Sequence, residues 1–181
     1  MGPIKWFVRR GFDEQAARTA ADTLVDSISD ELVGEALKVA CDRVASEDQT
    51  LGNIRTRASA VLSVAALAVT FASSVGLLAN DPTHGGQRLS TTVEWTLVAI
   101  LAVIGLTTSI TQLPLDWTLG MGTDAFGNHA SANDAHRAAL KKLEFGVARN
   151  EAQLHRLFQL YTLSLVLLAV EVIVLAIDLA T

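Results

Sequence analysis

Residues 160–180, LYTLSLVLLAVEVIVLAIDLA, form an almost unbroken apolar stretch near the end of the chain. A helix of about 20 residues rises about 30 Å, which matches the hydrocarbon core of a bilayer. The stretch therefore predicts a membrane-spanning helix. One ionisable residue, Glu171, lies near its middle, so the predicted span would carry a carboxyl group into the membrane.

Two further apolar segments accompany this helix. Residues 58–79 contain no charged side chain, and residues 91–113 begin with an interfacial Glu94 and Trp95 and end before Pro114. Each segment is long enough to cross a membrane. Together the three segments predict an all-α integral membrane protein with three transmembrane helices.

The rest of the chain predicts helices in water. Residues 13–49 carry apolar side chains at spacings of three and four, which is the pattern of an amphipathic helix or helix pair. Gly34 is a possible break, and Asp48 or Thr50 could cap a new helix. We expect three regions: a cytoplasmic amphipathic region at 1–50, a transmembrane hairpin at 51–114, and a loop with a long final helix at 115–181.

The final helix is predicted to begin near Asp134, capped by Ser131, Asn133 or Asp134, and to continue into the third span. Its cytoplasmic half has a heptad pattern with one polar member. That seam predicts either contact with a second copy of the chain or contact with the chain's own N-terminal helix, and the two are compatible. The seam consists of Leu140, Leu143, Val147, Asn150, Leu154 and Leu157, and continues to Tyr161.

The basic residues predict the orientation. Of the 14 lysines and arginines, only Arg88 lies outside residues 1–57 and 114–160. Because cytoplasmic segments of membrane proteins carry the excess of Lys and Arg, we expect a cytoplasmic N-terminus and an outside C-terminus. The predicted location is the cell inner membrane, with lipid as the main surrounding partner.

Composition and motifs argue against several function classes. A net charge of −5 argues against nucleic-acid binding. The single cysteine, Cys41, excludes an intrachain disulfide. The chain has no nucleophile–base arrangement, no zinc-ligand motif, and no phosphate-loop motif in its glycine-rich segment. We therefore expect no catalytic residue, no metal and no cofactor, and a protein that is not an enzyme.

Polar residues near or inside the predicted spans are the candidate site residues. Glu171 could line a pore or the space between helices, or it could make a purely structural hydrogen bond. The hydroxyl-bearing residues Thr107, Thr108 and Thr111 share those alternatives. Four basic residues could bind an anionic ligand or anchor the chain to lipid headgroups, with the anchor role favoured. They are Arg55, Arg57, Lys141 and Lys142.

Two short motifs suggest a family. Arg55-Thr56-Arg57-Ala58-Ser59 leads into the first span, and Phe126-Gly127-Asn128-His129-Ala130 lies in the loop before the final helix. With the order of the helices, these motifs resemble small membrane effectors of bacterial conflict systems, of the PycTM and SLATT type. The resemblance implies an oligomer that disrupts the inner membrane when a nucleotide second messenger, such as a cyclic nucleotide, accumulates during phage infection.

Two functions follow as expectations. The first is an antiphage-type effector that perturbs membrane integrity on a cytoplasmic signal. The second is a constitutive channel or scaffold subunit that binds a partner protein. In either case the long final helix would connect the cytoplasmic seam to Glu171, provided that it continues through Gly146.

Overall fold

The chain folds into helices. The computed structural model describes residues 12–74, 91–113, 117 and 131–180, and within these ranges it contains no strand. The predicted hairpin turn at 80–90, the end of the first span at 75–79 and the Phe-Gly motif at 126–130 lie outside the described residues. The four helices are α1 (Glu14–Asp26), α2 (Val33–Ser74), α3 (Thr91–Gln112) and α4 (Ala132–Ala180).

Three of these helices, α2, α3 and α4, are long and apolar enough to cross a membrane. This confirms the prediction of an all-helical chain with three candidate membrane-spanning helices. Large apolar side chains project outward from all three, including Leu67, Phe71, Leu106 and Ile177. Such a surface is costly in water and is stable in hydrocarbon.

The start of the chain differs from the sequence prediction. Helix α1 begins at its N-cap Asp13, whose side chain accepts hydrogen bonds from the backbone N–H groups of Gln15 and Ala16. It ends at Asp26, before the predicted break, and α2 begins at Val33. The chain therefore turns at residues 27–32 rather than at Gly34.

The expected helix start at Asp48 or Thr50 is wrong. Helix α2 runs for 42 residues through both positions, and the Thr50 hydroxyl bonds to the carbonyl of Ser46 one turn earlier. The physical reason is the buried face of the helix, which keeps its spacing of three and four throughout and outweighs the local capping preference. The buried members of this face are Val33, Leu37, Ala40, Val44, Glu47, Leu51, Ile54, Ala58, Val61 and Ala65.

The final helix follows its prediction closely. Ser131 is the cap, because its hydroxyl oxygen accepts the backbone N–H of Asp134 at 3.1 Å. Helix α4 then runs for 49 residues without interruption. Its continuity through Gly146 confirms the assumption on which the long-helix hypothesis depends.

The chain divides into two compact units. Unit 1 comprises Met1–Gly52 and Pro114–Arg156, and unit 2 comprises Asn53–Leu113 and Leu157–Thr181. In unit 1, apolar side chains of α1 and α2 pack against the heptad face of α4, so this part of the seam is filled within one chain. This core contains Val25, Leu37, Ala40, Val44, Ala139, Leu140, Leu143 and Val147.

The core of unit 2 is built from three helices. Val61 and Ala65 of α2 pack with Ile100 and Ile104 of α3. Side chains of α4 cover this cluster, namely Tyr161, Leu167 and Leu168. All of these side chains are apolar or aromatic, so the polar groups buried in the same unit stand out against them.

Candidate functional site

A line of buried polar side chains runs along the inner faces of α3 and α4 in unit 2. Four of its members, the three threonines and Glu171, are candidate site residues from the sequence. The fifth, Ser164, is not among those candidates. Each is at most 5% exposed: Thr107, Thr108, Thr111, Ser164 and Glu171. Buried polar groups inside apolar helices are costly unless they are bonded or functional.

The hydroxyl groups are bonded. The Thr107 and Ser164 oxygens lie 2.7 Å apart, and each also lies 3.0 Å from a carbonyl of its own helix. Thr111 donates to the Thr108 carbonyl at 2.7 Å, and Thr108 donates to the Ala58 carbonyl at 3.5 Å. These bonds satisfy the threonines and serine structurally, and they join α3 to α4 and to α2.

Glu171 is different, because neither carboxyl oxygen has a hydrogen-bond partner in the described part of the chain. The residue is 0% exposed. The nearest buried hydroxyl on the same helix, that of Ser164, is bonded to Thr107 and to the Leu160 carbonyl. The burial of the Glu171 side chain could have been predicted from the sequence. The heptad seam that reaches Tyr161 continues at spacings of three and four through Ser164 and Leu168 to Glu171.

Arg55 bonds to the carboxyl end of α3. Its guanidinium donates to the carbonyls of Thr111 at 3.1 Å and Leu113 at 3.0 Å. In return, the side-chain amide of Gln112 donates to the Arg55 carbonyl at 3.1 Å. Arg55 therefore acts as a cap for the last carbonyls of α3, whereas Arg57 is exposed.

The two predicted basic residues of α4 lie in unit 1. The Lys141 ammonium pairs with Asp26 at 2.8 Å and with Asp22 at 3.6 Å. The hydrogen bond to Asp26 raises the pKa of Lys141. Lys142 is exposed. The structure thus brings Lys141 to a pair of carboxylates on α1, and its charge is already balanced there.

A second arginine, Arg137, bonds to the turn between α1 and α2. The guanidinium of Arg137 donates to the carbonyls of Val25 at 2.8 Å and Ile28 at 2.6 Å. It also donates to the Asp30 carboxylate at 2.7 Å. Sequence reasoning missed this role, since carbonyl acceptors leave no trace in side-chain patterns.

Unit 1 also has a polar layer within its apolar seam. Asn150 is fully buried, and Glu47 is nearly so. The two side chains are hydrogen-bonded, and burial raises the pKa of the Glu47 carboxyl against the opposing effects of Asn150 and Arg43. Glu47 lies well before the apolar segment that starts at residue 58. Asn150 is the polar seam residue that the sequence predicted, and its hydrogen-bond partner lies on α2 of the same chain.

The remaining seam residues are apolar, and all of them are buried or half-buried. Leu140, Leu143, Val147 and Leu157 are buried, and Leu154 is half-buried. The structure fills these positions within one chain, and contact with a second copy stays a prediction.

No cluster of three or more His, Cys, Asp or Glu side chains that could hold a metal ion occurs among the described residues. In comparisons with protein families, characterised proteins and solved structures, the chain matches none of them.

Proposed function

We propose that this chain is a multi-pass protein of the bacterial inner membrane that acts as an oligomeric, antiphage-type effector of the PycTM and SLATT kind. The observation that carries the proposal is the line of buried polar side chains inside unit 2, ending at Glu171. An ionisable residue inside a membrane helix is rare and by default marks a functional site such as an ion pathway, whereas the hydroxyls of the line are bonded within the helices. A protein whose purpose was only to anchor would not need a buried carboxyl group.

The proposed effector is not an enzyme, and it acts by letting ions cross the membrane. Three helices per chain are too few to surround a column of water, so the proposal includes assembly of several copies. Glu171, Thr107, Thr108 and Thr111 are buried within one chain, so the proposal treats them as inter-helix contacts that become polar lining only when the helices of the assembled copies rearrange.

In this proposal unit 1 lies in the cytoplasm and receives the signal. A cavity of about 440 Å³ in unit 1 is lined by Arg18, Asp22, Lys141, Lys142 and Phe145, with two alanines. Lys141 is paired with Asp22 and Asp26, so Arg18 and Lys142 supply the positive charge that the proposal needs. The size of the cavity suits a small ligand, and the Arg18 guanidinium lies 4.6 Å from the centre of the Phe145 ring. An anionic messenger such as a cyclic nucleotide is the proposed ligand, and this cavity is the first place to test for it.

The test is expression in bacteria with a membrane-potential dye, with the neighbouring genes present and with phage challenge. We expect loss of potential and growth arrest upon challenge. Glu171→Gln should abolish the loss of potential, whereas Glu94→Gln, which changes a carboxyl in the first turn of α3, should keep it. Unchanged potential and growth in the wild-type strain under challenge would refute the effector role.

One observation favours the second function, a constitutive channel or scaffold subunit that binds a partner protein. Unit 1 exposes large apolar side chains at Leu24, Leu32 and Val39, each at least half exposed. Exposed apolar groups of this kind are available for a protein contact. A potential that is lowered equally with and without challenge would support a constitutive channel over an effector.

A further inference from the structure

Glu171 lies in unit 2 with its side chain turned away from the surface. The residues beside it on α4, Val170, Val172 and Ile173, are 41–56% exposed, while Glu171 is 0% exposed. Leu167 and Leu168, one turn earlier, pack on the apolar cluster of α2 and α3, and residues three and four apart share a helix face. The carboxyl group is therefore directed into the helix packing.

Among the described residues, nothing around the carboxyl group stabilises a negative charge. Both oxygens lack a hydrogen-bond donor among the described residues, and no described salt bridge reaches Glu171. The cations of unit 2 on α2 are Arg55 and Arg57, which precede the packed Ala65 by ten and eight residues, about 15 and 12 Å along the helix axis. The other described ionisable side chains of the unit are Glu94, in the first turn of α3, and Tyr161, in the apolar cluster.

We propose that Glu171 is a reversible proton-binding site inside the membrane-spanning part of the protein. A bare carboxylate buried in hydrocarbon costs several kcal/mol (order of magnitude), and a proton removes that charge with no further ligand. A metal cation would need several oxygen ligands at once. The apolar cluster of the unit, which includes Ile100, Ile104 and Ala65, supplies none.

The buried hydroxyls lie on one side of Glu171 along the helix axis. Ser164 lies seven residues before Glu171, almost on the same face and about 10 Å away along the axis. Thr107, Thr108 and Thr111 continue the polar line from Ser164 toward the Arg55 end of unit 2. This proton site depends on the proposed membrane location, but it does not depend on the effector role.

The test uses the full-length chain in lipid vesicles and an apolar carbodiimide, dicyclohexylcarbodiimide. The reagent reacts only with the protonated carboxyl: the acid proton moves to a carbodiimide nitrogen, the carboxyl oxygen adds to the central carbon, and the adduct rearranges to a stable N-acylurea without a leaving group. Tandem mass spectrometry locates the adduct. We expect modification of Glu171 that falls about tenfold per pH unit above the titration range of the carboxyl.

Glu171→Gln, with its helix content checked by circular dichroism, should lose the adduct. Glu151, on the same helix with its side chain 69% exposed, provides the matched control. A water-soluble carbodiimide should modify Glu151 and leave Glu171 untouched. Sodium or potassium ions should leave the modification of Glu171 unchanged.

Three results would overturn the proposal. Absence of an adduct at Glu171 at every pH, together with an infrared spectrum in which Glu171→Gln loses no protonated-carboxyl C=O band, would mean that the carboxyl is not protonated. An adduct that forms equally at every pH would mean a permanent, structural proton. Protection by sodium or potassium would mean a metal-cation site. None of these results depends on toxicity or membrane potential, so the failure of this proposal is distinguishable from failure of the effector role.

Discussion

Arg55 and Arg57 are two positions apart and carry the same charge, yet their surroundings differ: Arg55 bonds to the end of another helix. Its guanidinium donates to two carbonyls at the end of α3, while Arg57 is exposed. The sequence could predict only that both are basic and close to the membrane boundary. Arg55 donates to backbone carbonyls that lie 56 and 58 residues further along the chain, at the end of α3. No local sequence pattern specifies such a contact. The pairing of Lys141 with Asp22 and Asp26 was equally beyond the sequence, because it depends on how α1 lies against α4.

At the residue scale we predict that Arg55→Ala destabilises the folded chain by about 1–3 kcal/mol, because it leaves two half-buried carbonyls without a donor. Arg57→Ala removes the same charge from an exposed side chain and should change stability by no more than about 0.5 kcal/mol. Thermal unfolding in detergent, followed by circular dichroism, measures both. Equal losses in the two variants would show that Arg55 acts through its charge and not through its hydrogen bonds.

Helix α2 is the element where sequence reasoning and structure differ most. Asp48 and Thr50 are good cap residues, and Gly52 follows them closely, so local preference predicts a boundary there. The structure continues the helix because Glu47 and Leu51 belong to one uninterrupted buried face. Burial along a long face outweighs the few tenths to one kcal/mol (roughly) of a capping preference. In α4 the only competing signal was Gly146, and the periodic apolar face on both sides of it predicted the continuous helix that the structure shows.

At the element scale we predict that Gly52→Ala stabilises the protein by about 0.5–1 kcal/mol, since alanine is favoured over glycine inside a helix. An added Cβ at this position meets no atom within 4 Å. Gly34→Ala is the matched control: its Cβ is equally free of contacts, but it lies in the first turn of α2 and should have a smaller effect. Urea titration in mild detergent measures the difference. A loss of stability in Gly52→Ala would indicate that α2 is interrupted there.

At the scale of the whole molecule, the distribution of basic residues predicts which end faces the cytoplasm. Cys41, the single cysteine of the chain, is exposed on α2 and makes the orientation testable without any substitution. We predict that a membrane-impermeant maleimide labels Cys41 in inverted vesicles and leaves it unlabelled in intact spheroplasts. In a Cys41→Ser background, Thr181→Cys should give the opposite result. Labelling of Cys41 from outside would reverse the proposed topology.

The hydrogen-bonded pair of Glu47 and Asn150 restricts how unit 1 can move. If α4 slid along α2 by one heptad, apolar residues would still meet apolar residues at most seam positions, but Asn150 would face Ala40 or Ile54 in place of Glu47. Two buried polar groups would then lose their partner, at a cost of about 1–3 kcal/mol each. Unit 1 therefore does not switch by sliding α4 along α2 by one heptad. A signal received there would have to act by rotating or bending helices that keep their alignment.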